Sequence, residues 1–204
     1  CAFRSSFAQK VDAADINGCT DMAVRTDVTS ADVVVAACGT YLPETSAAIL
    51  YRTTDNGQNW PNVLSVANMD RTSLAVAKSD QSVMYALAST NAKTKWENGL
   101  FAVYKSTDGG ATWVAAYTNS GADVMANMLL TNVCSAFCSQ CEGKLTSLAN
   151  QGWYDNVIAV DPANPNIVWA GGIDLFRSND GGATWGMASM WWANTSRAAY
   201  NHAD

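Results

Sequence analysis

The sequence predicts an all-β repeat fold made of four-stranded antiparallel units. Three observations predict it. One short motif recurs as Thr53-Thr54-Asp55-Asn56-Gly57-Gln58-Asn59-Trp60, Ser106-Thr107-Asp108-Gly109-Gly110-Ala111-Thr112-Trp113 and Ser178-Asn179-Asp180-Gly181-Gly182-Ala183-Thr184-Trp185. A pair of short apolar runs precedes each copy. Turn-forming residues separate all of these runs. A repeat spaced by tens of residues is the signature of a repeat architecture.

The motif has the chemistry of a hairpin turn. Asp and Asn side chains accept from backbone N–H groups a few residues on, and Gly supplies positive φ. The Trp is an apolar plug at the opening of the next strand, and its indole N–H needs a partner. The residues before each copy read as strand: 48–52, 100–105 and 173–177. A charged site built on Asp55, Asp108 and Asp180 is the rival reading. Turn chemistry is preferred, because it accounts for Asp and Gly together.

The earlier runs form a second hairpin in each repeat. Met22-Ala23-Val24, Leu74-Ala75-Val76 and Ile158-Ala159-Val160 are followed by polar turns, then by 33–37, 83–87 and 167–171. The turn at Asp161-Pro162-Ala163-Asn164-Pro165-Asn166 excludes helix. Continuous apolar runs suit strands buried on both faces. Each repeat is therefore two hairpins, or four strands.

The motif resembles the Asp-box, or BNR, repeat of sialidases, xyloglucan-type glycoside hydrolases, sortilin-like receptor domains and a photosystem II assembly factor. The resemblance implies a β-propeller of four-stranded antiparallel blades, with the box joining the outer two strands and facing away from the functional mouth. The structural box residues are then Asp55, Gly57 and Trp60, Asp108, Gly110 and Trp113, and Asp180, Gly182 and Trp185. The first copy departs from the pattern at Thr53 and Asn59. Three full blades are expected at about 19–66, 68–117 and 153–192, with a cysteine-containing insertion at about 118–150. Closed propellers have about 4–8 blades. The chain is therefore expected to be part of a larger propeller, whose further blades come from the same or another chain.

Composition narrows the function. The net charge is −6, with 12 Lys plus Arg, which argues against a nucleic-acid partner. No apolar run approaches the roughly 20 residues of a transmembrane segment. The six cysteines are Cys1, Cys19, Cys38, Cys134, Cys138 and Cys141. Cys19 and Cys38 fall at facing ends of one hairpin, where a disulfide can form. Cys134, Cys138 and Cys141 lie in a polar insertion that disulfides would staple. A zinc site there lacks a fourth ligand, since His202, the single histidine, is distant. No metal or cofactor is expected. Cys1 is read as a disulfide half, with a lipid anchor as the alternative. Disulfides point to a secreted, periplasmic or cell-surface protein.

The expected functional mouth lies at the start of the innermost strands. Aligning Val24, Val76 and Val160 makes Cys19, Arg71 and Asp155 equivalent. Gln151-Gly152-Trp153-Tyr154-Asp155-Asn156 offers stacking aromatics beside amides and a carboxylate, the groups that bind sugars. The next blade would enter through 200–204, with His202 and Asp204. Arg71, Trp153, Tyr154 and His202 are thus the ligand-binding candidates. Asp155 and Asp204 are the candidate acid pair of a glycoside hydrolase, which needs two carboxylates at a defined separation. The plain alternative is that the carboxylates cap turns. The arginine triad implied by a sialidase is not matched, because Arg52 and Arg177 directly precede the motif and belong on the outer side. Three functions follow: a module binding a glycan or extracellular protein at its mouth, a glycoside hydrolase, or a structural subunit of an extracellular assembly.

Overall fold

The computed structural model describes residues 18–39, 47–120, 125–132 and 149–189. Twelve of its strands form three four-stranded antiparallel sheets. The first holds β1 (Cys19–Arg25), β2 (Val33–Cys38), β3 (Ile49–Thr53) and β4 (Asn62–Ser65). The second holds β5 (Met69–Val76), β6 (Met84–Thr90), β7 (Leu100–Ser106) and β8 (Val114–Thr118). A 3-10 helix (Met125–Leu130) and a short pair, β9 (Thr131–Asn132) with β10 (Ala149–Asn150), precede the third. The third holds β11 (Val157–Val160), β12 (Val168–Gly171), β13 (Leu175–Ser178) and β14 (Gly186–Met187). Within each sheet the strands pair in sequence order. β1 packs on β5 and β5 on β11. The sheets are thus successive blades of a β-propeller.

The three motif turns share one hydrogen-bond pattern. Thr53, Ser106 and Ser178 donate their hydroxyls to Asp55, Asp108 and Asp180 at 2.8 Å. The same hydroxyls accept from the N–H of Gly57, Gly110 and Gly182. Each Asp then accepts from the N–H four residues on and from that residue's side chain, Asn59, Thr112 or Thr184. Two successive positive φ angles make the turn tight: 59° and 79° at Asn56-Gly57, 69° and 82° at Gly109-Gly110, 75° and 88° at Gly181-Gly182. Each indole N–H donates back to a turn carbonyl, Trp60 to Gly57, Trp113 to Gly110 and Trp185 to Gly182. That bond holds the Trp on the turn, so β4, β8 and β14 begin one or two residues later than the expected opening at Trp.

The core lies between blades. Val35, Ala37 and Leu50 of the first pack on Leu74, Met84, Ala86 and Ala102 of the second. Tyr85, Leu87 and Val103 of the second pack on Ile158, Val168, Ala170 and Phe176 of the third, together with Leu129 and Leu130. The expectation that every inner strand is buried on both faces needs correction. β5, with a blade on each side, is largely buried, whereas Met22 and Val24 of β1 are 50% and 46% exposed and Val157 of β11 is 54% exposed. Burial of an inner strand is set by its two neighbouring blades, and among the described residues only the middle blade has both. Likewise Ile173 and Asp174 precede β13 instead of joining it, because Gly172 donates to the Asp174 carbonyl and turns the chain.

Cys19 and Cys38 face each other in the β1–β2 ladder and form a disulfide. Cys1, Cys134, Cys138 and Cys141, and also His202 and Asp204, lie outside the described residues. Among the described residues, no group of three or more His, Cys, Asp or Glu is placed to hold a metal. No helix among them is long and apolar enough to cross a membrane.

Candidate functional site

The ladders define two ends of each blade. Met69 at the start of β5 pairs with Thr90 at the end of β6, while Met84 at the start of β6 pairs with Ser106 at the end of β7. The motif turn of the second blade therefore lies at the end opposite Arg71. Arg71 reaches across to the third blade. Its Nη1 donates to the carbonyls of Trp153 and Tyr154, both at 2.7 Å. Arg71 was expected to meet a ligand; in the structure this nitrogen holds main chain.

Asn156 and Ser73 complete the junction. Ser73 Oγ donates to the Asn156 carbonyl at 2.7 Å. Asn156 Nδ2 donates to the carbonyls of Arg71 and Leu87, each at 3.0 Å. Both side chains are buried. Gly152 fits because a Cβ there would come within 2.7 Å of the Asn98 carbonyl and of Ser89. The N–H of Gly152 donates to that carbonyl. A turn follows, in which Tyr154 and Asp155 both donate their N–H to the Gln151 carbonyl. Segment 151–156 is thereby fixed at the head of β11.

On this support stand two aromatic rings. Trp153 and Tyr154 have centroids 5.4 Å apart, tilted by 47°. Tyr154 is 55% exposed, Trp153 and Asp155 are half-buried. The structure thus brings Arg71, Trp153, Tyr154 and Asp155 together, with Arg71 beneath the aromatic pair as its anchor. The site offers flat apolar faces next to a carboxylate, a combination suited to polar rings with apolar C–H surfaces.

A second feature at the same end was not expected from the sequence. A cavity of about 390 Å³ lies beside the β6–β7 loop, lined by Trp96, Phe101 and Tyr104 with Thr90, Thr118 and Asn119. Its lining carries no charged side chain. Burial pushes the Tyr104 hydroxyl above its ordinary pKa. The sequence signal was weak: one Trp in a polar loop and two aromatics, Phe101 and Tyr104, three positions apart on β7.

At the opposite end, the three motif carboxylates are held at a pKa of about 2. At Asp55 the cause is the N–H of Asn59, then its amide and the Thr53 hydroxyl. At Asp180 it is the Thr184 hydroxyl, then its N–H and Ser178. At Asp108 desolvation pushes upward and is outweighed by hydrogen bonds from Thr112, Ser106 and Ala111. These carboxylates are saturated by their own turns.

No family model matches the chain, and no curated protein matches it. Solved structures do. The chain is similar to the GH74 xyloglucanase from Xanthomonas campestris, at 17% identity and a TM-score of 0.54, over 88% of this chain and 24% of that one. It is similar to a Niastella koreensis GH74 enzyme, at 16% identity and a TM-score of 0.50, over 84% and 22%. YCF48 from Cyanidioschyzon merolae matches at 12% identity and a TM-score of 0.46, over 86% and 38%. The chain thus spans about a quarter of the length of the two GH74 structures. At these identities the likeness is one of fold.

Proposed function

We propose that this chain is part of a propeller binding module of an oxidising compartment, whose mouth recognises a glycan through Trp153 and Tyr154. The observation that carries the reading is the aromatic pair held over the Arg71 anchor, with Tyr154 more than half exposed. An exposed ring normally has freedom to lose on binding. Here the main chain beneath it is already fixed, so less ordering opposes association. The nearby uncharged aromatic cavity extends the same chemistry. The three turns are read as Asp-boxes, structural rather than chemical, because each carboxylate is fully engaged at the far end. The Cys19–Cys38 disulfide supports a secreted or surface location.

Titration calorimetry against neutral oligosaccharides, xyloglucan fragments among them, tests the reading. Trp153→Ala and Tyr154→Ala are each expected to weaken binding about tenfold, equivalent to about 1.4 kcal/mol. Native affinity in both variants sinks the proposal, as does an absence of binding by the natural protein.

A second reading is a glycoside hydrolase with Asp155 in the acid pair and Asp204 as the proposed partner. It is favoured by the position of Asp155 next to the aromatic pair and by the fold shared with GH74 enzymes. Hydrolysis of xyloglucan that vanishes in Asp155→Asn would support it; binding without hydrolysis leaves the module reading alone. An extracellular protein partner, or a structural place in an assembly, is the remaining alternative. Glycan-independent pull-down of a defined partner through the Tyr154 face would favour it.

A further inference from the structure

The cavity beside the β6–β7 loop carries polar groups that the fold itself does not use. The loop alternates: Thr90, Ala92, Thr94 and Trp96 line the cavity, while the charged Lys93, Lys95 and Glu97 do not. Lys93 pairs with Glu97 at 2.5 Å, and the Lys95 ammonium sits 4.8 Å over the Trp96 ring. The charges of the loop thus stay off the cavity wall. Phe101 and Tyr104 of β7 supply the other two rings, with centroids 6.5 Å apart.

Tyr104 is 7% exposed, and its hydroxyl meets no acceptor among the described residues. Tyr85, the other buried tyrosine of this blade, donates its hydroxyl to the Pro165 carbonyl. A buried tyrosine hydroxyl ordinarily finds such a partner. Thr90 is 4% exposed, and its Oγ1 accepts from the N–H of Ala92 at 3.1 Å. Thr94 Oγ1 accepts from the N–H of Trp96 at 3.1 Å. Neither hydroxyl donates to a described residue. A hydroxyl that accepts still has a proton to give. Hydroxyl donors of Tyr104, Thr90 and Thr94 therefore stand among the aromatic rings.

The same loop joins the cavity to the aromatic pair. Asn150 Nδ2 donates to the carbonyls of Lys95 and Glu97, on either side of Trp96, at 3.0 and 2.9 Å. Gly152, the residue before Trp153, donates its N–H to the Asn98 carbonyl at 2.7 Å. Chain reach through that bond keeps the Cα atoms of Trp96 and Trp153 within about 18 Å of each other. We infer that the Trp96–Tyr104 cavity is a second subsite for the glycan and takes a neutral sugar ring. The inference rests on the reading of Trp153 and Tyr154 as the first platform. The aromatic walls suit the C–H faces of a sugar, and the hydroxyl donors suit its oxygens. The lining holds no cation to pair with a uronate or sulfate, so burying one there is costly. A proline-rich peptide would also meet the rings, but it offers sparse main-chain carbonyls to clustered donors. The ligand class is thus a neutral oligosaccharide of several rings. Held first at Trp153, it reaches the cavity as an intramolecular step.

Titration calorimetry of the full-length polypeptide with a length series of neutral β-glucan oligosaccharides, from the disaccharide upward, tests this. Affinity is expected to rise about tenfold once the oligomer is long enough to reach from Trp153 to the cavity. Tyr104→Phe removes only the unpartnered hydroxyl and should cut that gain about threefold or more. Ala92→Leu, which fills the cavity, should abolish it. Short oligomers report the platform alone and should bind both variants as they bind the natural protein, whereas Trp153→Ala weakens short and long alike. A long oligomer ending in a glucuronate should show no gain. A flat length series in the natural protein, or a gain that persists in Ala92→Leu, overturns the second subsite and leaves the platform standing. An unchanged gain in Tyr104→Phe overturns the role of the hydroxyl. Short oligomers that fail to bind the natural protein overturn the platform reading itself. Binding of a proline-rich peptide, with no gain from any oligosaccharide, overturns the sugar as occupant.

Discussion

Arg71 is bound to Tyr154 through main chain, not side chain: its Nη1 donates to the Tyr154 carbonyl at 2.7 Å and shares the nitrogen with the Trp153 carbonyl. The guanidinium thus joins the innermost strand of one blade to the entry of the next. Charge-assisted hydrogen bonds to carbonyls are worth about 1.5–3 kcal/mol each in sheltered positions. The bond to the Trp153 carbonyl is half-buried and the one to the Tyr154 carbonyl exposed, so the first contributes most of that stabilisation.

Arg71→Met is therefore expected to loosen residues 153–155 as well as to weaken the protein, by about 2–3 kcal/mol. Hydrogen exchange of the Tyr154 and Asp155 amides, both bonded to Gln151, reads the local effect. Native exchange rates at both amides would mean that the guanidinium is no anchor.

The Cys19–Cys38 disulfide closes a hairpin of 19-residue separation. Constraining a loop of that length in the unfolded chain contributes about 3 kcal/mol. Replacing both cysteines by serine should lower stability by about that amount in urea unfolding without reductant. Reductant should then have no further effect on this hairpin. An unchanged midpoint in the double variant counts against the contribution.

The motif carboxylates make stability depend on acid. Their pKa falls from 3.8 to about 2 on folding. A lowered folded-state value means the unfolded chain binds protons first as pH drops. The contribution is fully present above the unfolded value and is lost as pH falls through about 2. Urea midpoints measured across this window should fall with acid. In Asp108→Asn the amide keeps an acceptor but cannot ionise, so the slope should flatten. An identical slope would place the acid sensitivity elsewhere.

Much of the fold was legible because turn chemistry is local. Asp55, Asp108 and Asp180 each accept from residues within four positions, so the spacing alone carries the geometry. The alignment on Val24, Val76 and Val160 likewise gave adjacent inner strands, since β1, β5 and β11 pack in that order. The site was less legible. Arg71 binds carbonyls, and every residue has a carbonyl, so no residue type announces that partner. The cavity at Trp96 and Tyr104 depends on how two strand ends and a loop meet. Exposure of Met22 and Val157 depends on which blades flank them, a property of the assembly and not of the local run.

The second motif glycine separates backbone strain from crowding. Gly110 and Gly182 hold the same place in their turns, with φ of 82° and 88°. A Cβ at Gly110 would lie 2.5 Å from Val35 Cγ2 of the preceding blade, whereas at Gly182 the nearest atom is Val103 Cγ1 at 3.6 Å. Gly182→Ala should therefore cost only the left-handed backbone term, about 1–2 kcal/mol. Gly110→Ala adds overpacking against a strand that is wholly buried, for about 2–5 kcal/mol in all. Paired denaturation curves check the difference. Equal losses would mean that the first and second blades can part enough to admit a methyl group, and that the close approach of turn to strand does not fix their spacing.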